Sequence, residues 1–174
     1  TYEDYMRLPS DVRYELLEGE LWMPPSPSTQ HQTILGFLYM TLVQCLVPSG
    51  LGKVFLAPLD VVLGKHNVLQ PDLLFVARDR LEIIGTANVQ GGPDLAIEIL
   101  SPSTKERDRV AKRRVYSKYG VREYWIVDPA TKIVEIAVNK SGSLTTCGVY
   151  HGNGIVFSPS FPTLKVDLDA LFEE

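Results

Sequence analysis

Residues 94–100 (DLAIEIL) form a nearly unbroken apolar run, and this segment restricts the fold more than any other. It is too short for a typical helix, and it lacks the polar alternation of a strand with one wet face. A strand covered on both sides fits it best. Ser101-Pro102-Ser103-Thr104 then leads into a helix over about Lys105–Tyr119, closed by Gly120. Glu123–Val127 (EYWIV) follows as a second apolar strand. Strand, helix and strand in that order default to a right-handed crossover between parallel neighbours. The unit therefore calls for an α/β architecture with a sheet flanked by helices.

The flanking segments extend this frame. The start reads as two short helices, the second opening at Ser10-Asp11 and stopped by Gly19, with a strand from Glu20 to Met23. From Ser28 to Leu46, Ile34, Leu35, Leu38, Leu42 and Leu46 recur at helical spacing. Lys53–Leu63 and Asp72–Ala77 read as an antiparallel pair connected through Gly64-Lys65-His66-Asn67. Residues 85–93 read as a Gly-rich loop. The chain from Lys132 onward gives a C-terminal β meander and a final DLDALF turn. No repeat, linker or low-complexity tract divides the 174 residues, so a single domain spanning 1–174 is expected.

Charge and cysteines limit the functional classes. The chain holds 17 basic and 21 acidic residues, for a net charge of −4, which by itself disfavours a nucleic-acid partner. Residues 105–118 reverse the balance with seven basic and two acidic side chains. Such a segment is either a phosphate-facing helix or a solvated helix face. Cys45 and Cys147 cannot build a disulfide framework or a zinc site alone, which suits a reducing cytoplasm. No apolar run approaches the length of a membrane span, and no cleavable signal pattern is expected.

Nucleotide-binding and elbow-type hydrolase motifs are missing. Gly50-Leu51-Gly52-Lys53 lacks the pattern of a phosphate-binding loop, and His31, His66 and His151 have no ligand spacing. Acid placement is more informative. Glu98 interrupts an apolar strand, where a carboxylate must be paired or bound to a cation. Asp72, behind Pro71, opens a neighbouring strand. The two acids can converge on one magnesium ion; alternatively, Glu98 is salt-bridged to an arginine of the next helix. Lys112 shares a helix face with Asp108 and Tyr116, at the border of the apolar line Ala111, Val115 and Tyr119. The helix start after SPST also offers free amides to a phosphate.

Taken together, YELLEGEL (14–21), His31, QPDLLFV (70–76), PDLAIEILSPST (93–104), Asp108 with Lys112, and YGVREYWIVDP (119–129) resemble the Uma-two family of restriction-type endonucleases. That family lies within the PD-(D/E)xK nuclease superfamily. The resemblance implies a restriction-endonuclease-like core, a mixed four-stranded β-sheet flanked by helices. It also implies a metal-dependent endonuclease with Mg2+ or Mn2+ held by Asp72 and Glu98. The lysine usual two positions after the glutamate is Leu100 here. A lysine migrated to the next helix is implied instead, and Lys112 suits that role better than Lys105 or Lys118. Glu15, on the early helix, resembles the extra acid near the metal, with Glu18 and Glu20 as competitors. His31 either contributes to the site or is structural, and Asp60 either supports it or is an exposed strand residue.

The expected partner is nucleic acid, DNA first, contacted by Arg107, Arg109 and Arg113. A homodimer is expected because cutting two strands suits two-fold symmetry, with residues 28–46 or 132–157 as its interface. Two other classes remain open. One is a catalytically inactive nuclease-like module that binds nucleic acid or a protein partner. The other is a metal-independent hydrolase using Ser101 or Ser103, although no histidine lies near them in sequence.

Overall fold

The computed structural model of the chain describes residues 1–9 and 11–173. A capped helical turn, α1 (Tyr2–Tyr5), precedes the hairpin β1 (Glu15–Leu17) and β2 (Glu20–Trp22), and then α2 (Thr29–Leu46). Next come β3 (Gly52–Leu56), β4 (Val61–Val62), β5 (Val68–Leu69), β6 (Leu73–Ala77), β7 (Val89–Gln90) and β8 (Leu95–Ile99). A π-helical segment, Arg107–Lys112, runs directly into α3 (Arg113–Lys118). The chain continues through β9 (Glu123–Asp128), β10 (Ile133–Lys140), β11 (Ser143–His151), β12 (Ile155–Phe157) and β13 (Lys165–Asp167) to a closing turn, α4 (Leu168–Leu171).

Six strands make the main sheet, in the order β11-β10-β9-β8-β6-β3. Only β8 and β9 run parallel, with Leu95 opposite Glu123 and Ile99 opposite Val127; the other neighbours are antiparallel. The apolar run in β8 follows from its two covered faces. Leu95, Ile97 and Ile99 meet the apolar stripe of α2, with Phe75, Trp125 and the C-terminal elements β12, β13 and α4. Ala96 and Leu100 face the opposite way, among Leu74, Tyr124 and Ile126 beneath Val115 and Tyr116 of α3. Each fully buried large apolar side chain contributes about 1.5–3 kcal/mol relative to exposure, so both layers are held firmly. The expected four-stranded core is thus the middle of a larger mixed sheet; of the expected meander from Lys132 onward, β10 and β11 extend that sheet, while β12 pairs with β13 in a separate two-stranded sheet.

A second sheet, in the order β2-β1-β5-β4-β7, packs beside α3. Here the sequence expectations need correction. The second early helix is absent from the described residues, and Ser10, its expected cap, lies outside them. Glu15 sits on β1, because Leu16 and Leu17 are both buried and β1 pairs with β2 and β5. Glu18 and Gly19 have φ of 54° and 85°, so Gly19 belongs to a two-residue hairpin turn rather than a helix stop. The expected strand 53–63 breaks after Leu56, sending β3 to the main sheet and β4 to the smaller one. The Gly64–Asn67 turn therefore joins β4 to β5, while β3 and β6 pair antiparallel without it. The loop 85–93 carries the short strand β7, parallel to β4.

Candidate active site

In the antiparallel pair β6/β8, Leu73 stands opposite Ile97 and Leu74 opposite Ala96. Extending that register by one residue sets Asp72 opposite Glu98, on the sheet face that carries α3. Directly opposed residues have Cβ atoms about 4.5–5.5 Å apart, within reach of a shared ligand. Each carboxylate is fixed through one oxygen. Asp72 Oδ2 accepts the Ile99 amide at 2.8 Å and lies 3.3 Å from His31 Nε2. Glu98 Oε1 accepts Lys112 Nζ at 2.9 Å and the Tyr116 hydroxyl at 2.7 Å. Among the described residues, Asp72 Oδ1 and Glu98 Oε2 accept no hydrogen bond.

Lys112 occupies a cage of acids. Its ammonium lies 2.9 Å from Glu98 Oε1, 3.0 Å from Glu15 Oε1 and 3.4 Å from Asp108 Oδ1. Glu15 reaches this point from β1, where its Oε1 also accepts the Gln70 amide at 2.8 Å and its Oε2 lies 3.6 Å from Arg107 Nη2. Glu15, Glu98, Asp108 and Lys112 are all at most 3% exposed. Burial pushes the Glu98 carboxyl well above the usual carboxylate range; Asp108, Asp72 and Glu15 add to the rise, and Lys112 opposes it. For Lys112, burial disfavours the ammonium, but Glu15, Glu98 and Asp108 outweigh it and hold the lysine protonated. Burial and the Glu98 charge keep Tyr116 a phenol, suited to donating its hydrogen.

Three carboxylates, Glu15, Glu98 and Asp108, thus converge on Lys112, Arg107 pairs with Glu15, and Asp72 lies beside them. A cleft of about 500 Å3 opens over them, bordered by the Pro24–Ser28 segment, His31, Ser101–Thr104 and Arg107. Hard carboxylate oxygens with unclaimed acceptors suit a small divalent cation. The fit extends to the donor set and not to a finished ligand cage: among the described residues, no three His, Cys, Asp or Glu side chains are arranged to hold an ion.

The sequence candidates separate cleanly in space. Lys105 pairs with Asp128, and Lys118 lies over the Tyr119 ring, leaving Lys112 as the cleft lysine. Glu18 pairs with Arg114, and Glu20 is exposed on β2, so Glu15 is the early acid at the cleft. Arg107 lines the cleft, whereas Arg109 and Arg113 both bind Glu135 of β10 outside it. Ser101 and Ser103 share a hydrogen bond at the cleft mouth, and the nearest hydroxyl partner is Thr104. Asp60 is no exposed strand residue; it accepts from Tyr5 and Gln70. Two contributors carry weaker sequence signals. Tyr116 shares the Lys112 face, and its role needed the position of Glu98. Arg107 was one cation among seven until β1 was placed.

The profile of the Uma2 family, described as "Putative restriction endonuclease", matches residues 2–169. No match is found among curated proteins. Among solved structures, a crystal structure at 1.96 Å of a putative nuclease belonging to DUF820, from Anabaena variabilis ATCC 29413, superposes with a TM-score of 0.83. The two share 23% identity, and the alignment covers 99% of this chain and 97% of that one. At that identity the likeness establishes the fold.

Proposed function

The chain belongs to the Uma2 family of putative restriction endonucleases, and from that premise we propose that it is a divalent-metal-dependent endonuclease acting on phosphodiester bonds, with DNA as the first substrate to test. The observation that carries the reading is the register of β6 and β8. It opposes Asp72 and Glu98 in one cleft, each with an oxygen unclaimed by a protein donor.

In this reading Asp72 and Glu98 hold Mg2+ or Mn2+, and Glu15 adds charge beside them. Such an ion, when bound, supplies Lewis acidity at a phosphate oxygen and an acidified water. The protein's own groups hold the geometry. The Ile99 amide and His31 orient Asp72, and Tyr116 and Lys112 orient Glu98. Lys112 is an ammonium among three acids, so it acts as a charge that stabilises the phosphate rather than as a proton acceptor. Arg107 at the cleft wall is the phosphate contact. Arg113 would join it only by releasing Glu135, and Arg109 only by releasing both Glu135 and Asp128. Action as a cytoplasmic homodimer belongs to the same reading, since cutting two strands suits a two-fold axis.

The test is cleavage of plasmid and oligonucleotide substrates with Mg2+ or Mn2+. The parent should cleave, and Asp72→Asn should lose about a hundredfold or more while keeping the parent's circular dichroism. Equal cleavage by the variant would sink the assignment. A non-catalytic, nucleic-acid-binding module is the second reading, favoured by Leu100 at the usual lysine position and by an ammonium already neutralising the acids. Oligonucleotide binding with no calorimetric metal binding would select it.

A further inference from the structure

β2 carries Trp22 on the edge of the smaller sheet, and the register of the β1/β2 hairpin places it opposite Glu15. Residues directly opposed in an antiparallel pair project to the same face. A tryptophan that is 40% exposed therefore stands next to the acid that reaches Lys112. The Arg107 guanidinium lies over the Trp22 ring at 4.0 Å and joins it to the cleft through Glu15. A groove of about 650 Å3 begins at this pair, lined by Leu17, Trp22, Val110 and Ala111 and edged by Glu20 and Glu106. Arg107 and Ser103 line both the groove and the cleft, so the two cavities adjoin across these side chains.

From this arrangement we infer that the groove is a nucleobase-stacking site, and that Trp22 is the platform for the base of a nucleotide adjoining the one in the cleft; the inference rests on the nuclease reading. A partly exposed indole, with a guanidinium over its ring and a phosphate-directed site beside it, matches the aromatic platforms that hold unpaired bases without reading their sequence. The carboxylates of Glu20 and Glu106 at the edge repel a phosphate but accept from the amino group of a base. Arg107 Nε and Nη1 are buried and lack an acceptor among the described residues, so the guanidinium at this junction holds donors that the protein does not use. The substrate class that follows is a strand with a base free to leave its stack: single-stranded, frayed or locally opened nucleic acid.

The two tryptophans make the test direct. Trp125 is fully buried, so quenchable emission belongs to Trp22. Metal-free protein is titrated with a single-stranded oligodeoxynucleotide of about twelve residues, and with an abasic deoxyribose-phosphate strand of the same length. Quenching by the first and not the second is expected. Trp22→Leu, which keeps apolar bulk beside Arg107 but removes the π face, should bind the oligonucleotide roughly tenfold more weakly or worse, and Trp22→Phe should restore most of the affinity. Equal quenching by the abasic strand, or parent-like affinity in Trp22→Leu, overturns the inference. Emission that changes with protein concentration alone would mark the patch as a contact between copies and also overturn it. A labelled oligonucleotide that binds without altering Trp22 emission overturns the stacking site but leaves the nuclease reading standing. Absence of both binding and metal-dependent cleavage removes both.

Discussion

Lys112 and Glu123 show how two buried charges in one domain differ. Glu123 is fully buried, but Trp125 Nε1, the Ser158 hydroxyl and the Ser160 amide donate to its two oxygens. That carboxylate has a structural task, tying β9 to the C-terminal segment. The acids around Lys112 depend mainly on its single ammonium. Replacing it by Met should leave Glu15, Glu98 and Asp108 without their shared counter-charge. Removing one partner of a buried charge set costs about 3–5 kcal/mol. Urea unfolding of metal-free Lys112→Met is expected to show a loss of that size. Saturating Mg2+ or Mn2+ should then raise the variant's midpoint by more than the parent's, because the ion replaces the missing positive charge. An unchanged midpoint in the metal-free variant would mean that the ammonium is not what holds these acids. Tyr116→Phe is a milder test. It removes one of two donors to Glu98 Oε1 and should cost about 1–3 kcal/mol by the same measurement.

At the scale of elements, the helix after β8 does more than cross the sheet. Its π-helical first half presents Asp108 and Lys112 to the cleft, and its outer side clamps the meander through Arg109 and Arg113 on Glu135. Burial acts to raise the Glu135 carboxyl, but the Thr146 hydroxyl and Arg113, with Arg109, outweigh it and hold it below its usual range. A carboxyl lowered in the folded state contributes stability above its unfolded pKa and loses it as pH falls through the folded value. Melting temperatures of the parent should therefore drop on acidification below about pH 4.5, and Glu135→Gln should flatten that limb. An equal acid slope in parent and variant would remove the clamp from the account. The helix itself was legible, since Ala111, Val115 and Tyr119 keep their i,i+4 line whether or not a π turn precedes them. The π turn leaves no mark in such a line. β8, β9 and α2 were legible from apolar pattern, and Asp72, Glu98 and Lys112 from charge set against that pattern. β1 was not. YELLEGEL is rich in helix-forming Glu and Leu, and only pairing with β5 and the Glu18-Gly19 turn makes it a strand. The Trp22–Arg107 contact was hidden for the same reason, because it exists only once that hairpin has formed.

Across the whole molecule, the basic segment 105–118 looked like a track for phosphates, but most of its charge is used internally. Lys105, Arg107, Arg109, Lys112, Arg113 and Arg114 are each ion-paired to an acid from β1, the β1–β2 turn, β8, β9, β10 or the helix itself. These pairs brace the two sheets and the helix against one another, and they leave the net charge of −4 with little to offset it toward a polyanion. Nucleic acid should therefore be held by few phosphate contacts. For duplex DNA, log K falls with log salt at about −0.9 per phosphate neutralised. With Arg107 at the cleft wall, and with Lys118 in no ion pair among the described residues, two cations of this segment are left for phosphates, and a slope of about −2 is expected for the metal-free protein; seven open cations would give about −6. Fluorescence anisotropy with a labelled duplex between low and moderate salt measures it. Glu135→Gln should steepen the slope by about 1, because it frees Arg113 without adding a charge of its own, while Arg109 keeps its pairing to Asp128. A parent slope already near −6 would show that the internal pairs exchange their carboxylates for phosphates on binding. The basic helix would then be the main docking surface rather than a brace between the two sheets.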